Sequence, residues 1–351
     1  MEDINLSGKE PKKKMSIWKK ILIALVLLIV ISVAGVAIFI SSMLGKINRI
    51  DTSQLETEIF TGEEFETDAD VSEDTIKPEE VTWPETSAAD ESAEEADNEA
   101  QANVINILLI GQDRREGQGR QRSDSMMIAS INKRDKTVTI TSLLRDSYVQ
   151  IPGYQDNRIN AAYAFGGMPL LNEVIDLNFG IEIDANVEVD FNGFTTIIDT
   201  LGGVDIVLKD YEVEYMNSKL KTSKYVVGSN HLTGEEALFY ARIRYVGRSD
   251  FERTERQRLI VTTVFNKLKD ESPTKIFALI NDLFPYVTTD MSNSDIITYA
   301  TIVMGMDLTE IQTYRIPADG TYSSQTIRGM KVLVPDLAAC QSDLKKIIYG
   351  N

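Results

Sequence analysis

"NVINILLIG" (residues 103–111) decides the fold of this 351-residue chain. It is a short apolar run closed by Gly111 and reads as a buried strand. Two more strands follow at once, "SMMIASIN" (125–132) and "KTVTITSLL" (136–144), with "KRDK" as the turn between them. Beyond these the texture alternates. "MPLLNEVIDLNFG" (168–180) reads as a helix stopped by Gly180, "NVEVDF" (186–191) as a strand, and "NGFTTIIDTLGG" (192–203) as a helix ending on glycines. "VDIVL" (204–208) is a further strand. "TGEEALFYAR" (233–242) opens a helix with a capping box, Thr233 then Glu236.

The stretch 250–270 is one long helix, and its stripe of Ile260, Val261, Val264, Phe265 and Leu268 reads as ordinary core packing. The last eighty residues add helical patterns and a strand-like "IQTYRIP" (311–317). There is no internal repeat. Strands alternating with helices predict an α/β class, a layered domain with a central mixed β-sheet covered by helices.

Upstream of residue 103 the chain changes character twice. Residues 21–40 carry no charge, and at about 1.5 Å per residue they span roughly the 30 Å hydrocarbon core of a bilayer. Lys12, Lys13, Lys14, Lys19 and Lys20 precede them, whereas acidic residues follow. The positive-inside bias therefore predicts a basic cytoplasmic tail (1–20), one transmembrane helix (21–44) and an extracellular remainder, in a single-pass protein of the cell membrane. Between residues 51 and 102 there are nineteen Asp or Glu and one lysine, Lys77, a net −18 that equals the charge of the whole chain. So acidic and apolar-poor a stretch predicts a disordered linker over 45–102, with a reach of about 40 Å. The extracellular domain is then 103–351, with its motifs concentrated in 103–269, and it is close to neutral.

Single residues narrow the chemistry. One cysteine, Cys340, excludes an intramolecular disulfide and a Cys-based zinc site, and one histidine, His231, argues against His-centred catalysis. The remaining functional groups are Asp, Glu, Arg, Lys, Ser and Tyr. Against an acidic background, "ARIRYVGRSDFERTERQR" (241–258) holds six arginines in eighteen positions. Asp250 is placed to cap the long helix, which sets Arg253 in its first turns, and Gln257 lies one turn further on the same side. Arg242 and Arg244 come just before. Cations at a helix N-terminus are disfavoured unless an anion joins them. "IGQDRREGQGRQRSDSMM" (110–127) adds Arg115 and Arg122 near the end of the first strand. Its Asp113 and Asp124 are a carboxylate pair able to hold a hard divalent ion. "SLLRDSY" (142–148) offers Arg145 and Asp146, and "NRINAAYAFGG" (157–167) offers Arg158. Guanidinium groups do not deprotonate, so they bind and stabilise anions, phosphate above all. A salt-bridged surface is the plain alternative.

Seven of these segments, "IGQDRR", "RSDSMMI", "SLLRDSYV", "RINAAYAFGG", "FNGFTTIIDTLGGVDI", "LTGEEALFYARIR" and "DFERTERQ", stand in an order and spacing that resembles the LytR-CpsA-Psr family. The resemblance implies an Mg²⁺-dependent (or Mn²⁺-dependent) phosphotransferase of the Gram-positive-type envelope. Such an enzyme moves a glycopolymer from a polyprenyl-pyrophosphate carrier onto peptidoglycan through a phosphodiester. It implies pyrophosphate contacts at Arg145, Arg158, Arg242, Arg244, Arg253 and Gln257, metal contacts at Asp113 and Asp124, and further motif positions at Arg115, Arg122 and Asp250. The family commonly has lysine where this chain has Arg158. Asp124 and Asp146 are the candidate proton acceptors. The partners expected are a lipid-linked glycan, the peptidoglycan acceptor and the membrane, with no nucleic acid. The lipid chain requires an apolar slot between sheet and helices. Two other readings use the same residues: a pyrophosphohydrolase, and a non-catalytic envelope regulator that binds the lipid intermediate.

Overall fold

The computed structural model describes residues 41–50, 74–84, 100–112, 123–244, 250–269 and, apart from scattered positions between 270 and 310, 271–350; the side chains of residues 124 and 269 are outside this set. The chain divides into two units, Met1–Lys46 and Ile47–Asn351. In the first, residues 41–44 form a helical turn. The apolar run 21–40 lies outside the described residues. Among the described residues no helix is long and apolar enough to cross a membrane.

The second unit is built on a seven-stranded sheet. Along the chain, β1 (Asn48–Arg49) is followed by β2 (Val104–Gln112), β3 (Ser123–Asn132) and β4 (Thr137–Leu143). A short ribbon of β5 (Tyr148–Val149) and β6 (Asn157–Arg158) leads into helix α1 (Ile159–Phe179). Then come β7 (Ala185–Asp190), α2 (Phe191–Thr200), β8 (Val204–Leu208), α3 (Asp210–Leu220), β9 (Gly228–Leu232), α4 (Gly234–Ala241) and α5 (Asp250–Lys269). The remainder is β10 (Thr288–Thr289), α6 (Asn293–Gly305), β11 (Ile311–Ile316), the hairpin β12 (Tyr322–Ile327) and β13 (Met330–Pro335), and α7 (Leu337–Leu344). The sheet order is β1-β10-β7-β2-β3-β4-β11. β2 runs parallel to β7 and antiparallel to β3, β3 antiparallel to β4, and β4 parallel to β11. The sheet is therefore mixed, and β7, β2, β4 and β11 all point their carboxyl ends at one edge.

The period of two along β2 explains the layering. Leu108 and Ile110 pack with Leu171, Val174 and Ile175 of α1 on one face. Ile105, Ile107 and Leu109 pack with Val261 and Phe265 of α5 and Tyr299 and Ile302 of α6 on the other. Helix α1 starts earlier than the sequence pattern predicts. A kink at Gly167 (φ 67°) just before Pro169 joins its two halves, and Gly180 stops it in the left-handed conformation at φ 67°. Elsewhere close approach decides: Gly234 admits the start of α4 against Thr195 of α2, where a Cβ would lie 2.2 Å from the Thr195 carbonyl oxygen.

Three expectations are corrected here. The strand "VDIVL" forms as β8 but outside the main sheet, in a separate two-stranded ribbon with β9. The linker 45–102 is not one disordered stretch. β1 adds to the sheet edge beside β10, and Thr75 bonds the backbone of Thr326 in both directions. Trp83 stacks on Tyr148 at 6.2 Å and donates to Asp156 at 2.9 Å. One indole in an acidic background leaves no periodic signal, yet it buries enough ring surface to order its neighbourhood. Asp250 is the first residue of α5 rather than a residue preceding it, a shift of one position that keeps its carboxylate in the first turn.

Candidate functional site

The edge where four parallel strands end is where open α/β sheets gather ligands. Arg145 and Asp146 lie just beyond β4, and α2 begins directly beyond β7. The short segment between α4 and α5 brings in Arg242 and Arg244, and the first turns of α5 bring in Asp250, Arg253 and Gln257.

These side chains converge. Asp250 receives Arg145 Nε at 3.0 Å, Arg253 Nη2 at 3.2 Å and Arg244 Nε at 3.7 Å. Asp146 lies 3.6 Å from Arg145 Nε and 3.5 Å from Arg158 Nε, and is hydrogen-bonded to Asp250. Arg242 caps α4 and rests its guanidinium 4.4 Å from the centre of the Phe191 ring. Positive charge exceeds negative at this edge, since four guanidiniums, those of Arg145, Arg158, Arg244 and Arg253, surround two carboxylates, and Arg253 is only 3% exposed. Arg158 stands behind Asp146, buried, and donates to the Lys331 carbonyl at 2.7 Å. It lines neither of the two cavities described below.

The two carboxyls are pushed apart. Burial, with Asp250 close by, raises Asp146 above the ordinary carboxylate range despite Arg145 and Arg158. Burial also opposes the charge on Asp250, but Arg253, Arg145, the hydrogen bond with Asp146 and Arg244 together hold it below that range. Such a divergence assigns roles: Asp250 stays ionised and gathers the arginines, while Asp146 is the carboxyl of the pair that holds a proton more readily.

Behind the arginines opens a cavity of about 990 Å³. Its mouth carries Arg145, Arg242, Arg244, Arg253 and Gln257, and its walls are Leu109, Met127 and Val187 of the sheet facing Phe194, Leu238 and Val264 of the helices. Val264 is eleven residues beyond Arg253 on α5, so the apolar wall runs about 16 Å deep. Ile260 and Val261 line it too, which corrects the reading of that helical stripe as plain core. Periodicity reports that a helix has an apolar face; it does not say whether side chains or empty space lie opposite. Phe191, Phe194, Tyr215 and Phe239 were not singled out from sequence for the same reason.

Asp113, Arg115 and Arg122 lie outside the described residues. Position 124 is instructive through its backbone. Gly111 pairs with Ser125 and Gln112 with Ser123, so Asp124 is the extra residue of a β-bulge beside the end of β2, the strand that Asp113 directly follows. The Ser123 hydroxyl next to it is buried without a hydrogen-bond partner among the described residues. The Ser123 hydroxyl and the carboxylates of Asp113 and Asp124 are hard oxygen donors of the kind a small divalent cation takes. Among the described residues no cluster of three metal-ligating side chains occurs. His231 pairs with Asp205 on the exposed β8–β9 ribbon and takes no part in the site.

A cationic mouth over a deep apolar cavity defines a receptor for an amphiphile, anionic at its head and apolar along its tail. The LytR_cpsA_psr family model matches residues 72–346, and the chain belongs to that family. It is 35% identical over 195 residues to "Regulatory protein MsrR" of Staphylococcus aureus, covering 55% of this chain and 58% of that one. To "Polyisoprenyl-teichoic acid--peptidoglycan teichoic acid transferase TagU" of Bacillus cereus it is 35% identical over 170 residues, 48% of this chain and 54% of that one. The chain thus spans just over half the length of these curated relatives. Among solved structures, TagV of B. subtilis superposes with a TM-score of 0.56 at 28% identity, covering 70% of this chain and 97% of that one. YwtF (TagT) with bound octaprenyl pyrophosphate lipid superposes at 0.55 and 23% identity, covering 72% and 92%.

Proposed function

We propose that this protein is a phosphotransferase that moves a glycopolymer from a polyprenyl-pyrophosphate carrier onto peptidoglycan by forming a phosphodiester. The observation that carries the reading is the junction of four arginines, Arg145, Arg242, Arg244 and Arg253, with the apolar cavity: the head group sits at the guanidiniums and the prenyl chain in the cavity. The similar protein with bound octaprenyl pyrophosphate supports this choice of ligand, and the name of the TagU relative supports the acceptor. Residues 21–40 anchor the chain in the cell membrane with the N-terminus cytoplasmic and the domain outside, beside its lipid substrate.

The reaction follows from charge. An acceptor hydroxyl oxygen attacks the phosphorus nearer the glycan, the bond from that phosphorus to the bridging oxygen breaks, and prenyl monophosphate leaves. The hydroxyl proton passes to Asp146. Arg145, Arg244 and Arg253 stabilise the charge that grows on the leaving phosphate, the dominant contribution in such transfers. Asp113 and Asp124 would hold Mg²⁺ or Mn²⁺, which supplies further neutralisation of the pyrophosphate.

The test is to incubate the purified chain with a prenyl-pyrophosphate-linked glycan, with and without peptidoglycan oligomers. Acceptor-dependent glycan attachment is expected. Equal release of glycan phosphate with and without acceptor would assign hydrolysis instead, and binding without turnover would assign a regulator.

A further inference from the structure

Beside the Arg145 and Arg253 side chains lies a second cavity, of about 380 Å³, that nothing above uses. Arg145 and Arg253 line both cavities, whereas Asp146 and Asp250 line only this one. The arginines and carboxylates therefore form a partition, with the apolar cavity on one side and this chamber on the other. Among its remaining walls, Thr75, Thr254, Ser324, Gln325 and Lys331 supply hydroxyl, amide and ammonium groups, set between the apolar side chains of Leu144, Phe251, Val332 and Leu333.

The chamber is held in shape from three directions. The Leu333 amide donates to the Asp146 carbonyl at 2.9 Å, so the β12–β13 hairpin is fastened to the residue that faces the chamber. Arg158 ties the Lys331 carbonyl from behind at 2.7 Å. Thr75 closes the far side, through its amide to the Thr326 carbonyl at 2.9 Å and its hydroxyl to Gln325 at 2.7 Å. A preformed concavity of this volume lies within the roughly 300–1,000 Å³ of small-ligand sites.

We infer that this chamber receives the acceptor, as a single sugar residue whose hydroxyl is presented to Asp146. The inference rests on the donor reading above. Displacement at phosphorus runs in line, with attacking and leaving oxygens on opposite sides. The leaving phosphate carries the prenyl chain and so departs toward the apolar cavity. The attacking hydroxyl must then arrive from the other side of the arginine partition, where the chamber lies. Hydroxyl, amide and ammonium groups beside apolar side chains suit a sugar, which offers hydroxyls at its edge and C–H faces between them, and Asp146 is a carboxyl on that side placed to take the proton.

Ser324 is exposed on β12 at the chamber wall, so Ser324→Trp fills the chamber without replacing any arginine. Full-length protein in detergent is assayed with two readouts: binding of octaprenyl pyrophosphate, and transfer to peptidoglycan oligomers as a function of acceptor concentration. We expect Ser324→Trp to bind the lipid as wild type does while its acceptor kcat/KM falls by about tenfold or more. Lys331→Trp, which fills the chamber from the opposite strand, should behave alike and guards against misfolding of one variant. Unchanged acceptor kinetics in both tryptophan variants overturns the assignment. Lost lipid binding in both overturns it as well, by making the chamber part of the donor site. Wild-type protein that binds no prenyl pyrophosphate would instead defeat the donor reading on which this one stands.

Discussion

Arg256 and Arg253 lie three residues apart on α5, and both are nearly inaccessible to solvent, yet only Arg253 lines the cavities. Arg256 lines neither cavity. Its Nε meets Glu212 at 2.7 Å, Nη2 meets Glu252 at 2.9 Å, and Nη1 donates to the Ile243 carbonyl at 3.0 Å. Glu212 is itself 1% exposed, and its other carboxylate oxygen caps α3 by accepting from the Lys209 amide at 2.9 Å. Arg256→Met leaves Glu212 buried without its countercharge. Breaking one partner of a buried pair costs about 3–5 kcal/mol. For a domain of this size each kcal/mol lowers the melting temperature by about 2–4 °C, so a fall of roughly 6–20 °C is expected by thermal circular dichroism. Arg256→Met/Glu212→Gln removes both charges but keeps the cap acceptor, and should recover more than half of the loss. At 20 °C the single variant should still transfer glycan. A melting temperature within about 2 °C of wild type would refute the assignment of Arg256 as a buried structural charge.

Arg242→Ala, by contrast, should melt close to wild type and lose about 100-fold or more in transfer, as expected for a group that stabilises developing charge; steady-state kinetics beside a melting curve separates the two effects. Transfer by the wild type should rise with pH as Asp146, whose pKa is raised, gives up its proton and becomes a base; Asp146→Asn should abolish that rising limb along with most of the rate. Asp250 has the opposite sign. Its lowered pKa gives a stability contribution that is full above the unfolded value near about 4 and is lost as pH falls through the folded one, so Asp250→Asn should flatten the acid side of a stability profile. Cys340 is fully buried with its thiol pushed up to about 11, so iodoacetamide at neutral pH should label it only in denaturant, as read by mass spectrometry.

The sequence was legible wherever a single interaction scale dominated. The alternation in β2, β3 and β4, the capping box at Thr233 and Glu236, and the glycine stop at Gly180 are local signals, and the structure carries all three. The convergence of Arg145, Arg244 and Arg253 could be anticipated because each stands at an element's end facing the same sheet edge. What escaped were features made by partners distant in sequence. β12 reads "YSSQTI", too polar to announce itself, and it forms by pairing with β13. Thr75 and Trp83 look like linker until the hairpin and Tyr148 are set against them. The second chamber depends on both, and so was invisible in the sequence. Arg256 stands in the same arginine-rich run as the site arginines, and only the position of Glu212, forty-four residues earlier, separates structural charge from functional charge.

Asp250 also explains how so much positive charge can gather at one edge. Arg253 lies in the first turn of α5, where the helix dipole disfavours a cation by about 0.3–1 kcal/mol, and burial at 3% exposure adds to that cost. Arg145 and Arg244 approach from two other segments and would repel it. The ionised carboxylate three residues before Arg253 meets all three, and its own pKa is lowered in consequence. The guanidiniums are thus oriented during folding rather than when substrate arrives, which removes ordering costs of about 0.5–1.5 kcal/mol per side chain from the binding step. The same carboxylate holds Asp146 by a hydrogen bond, and its negative charge adds to burial in raising the Asp146 pKa, so one residue shapes the anion site and contributes to the basicity of its neighbour.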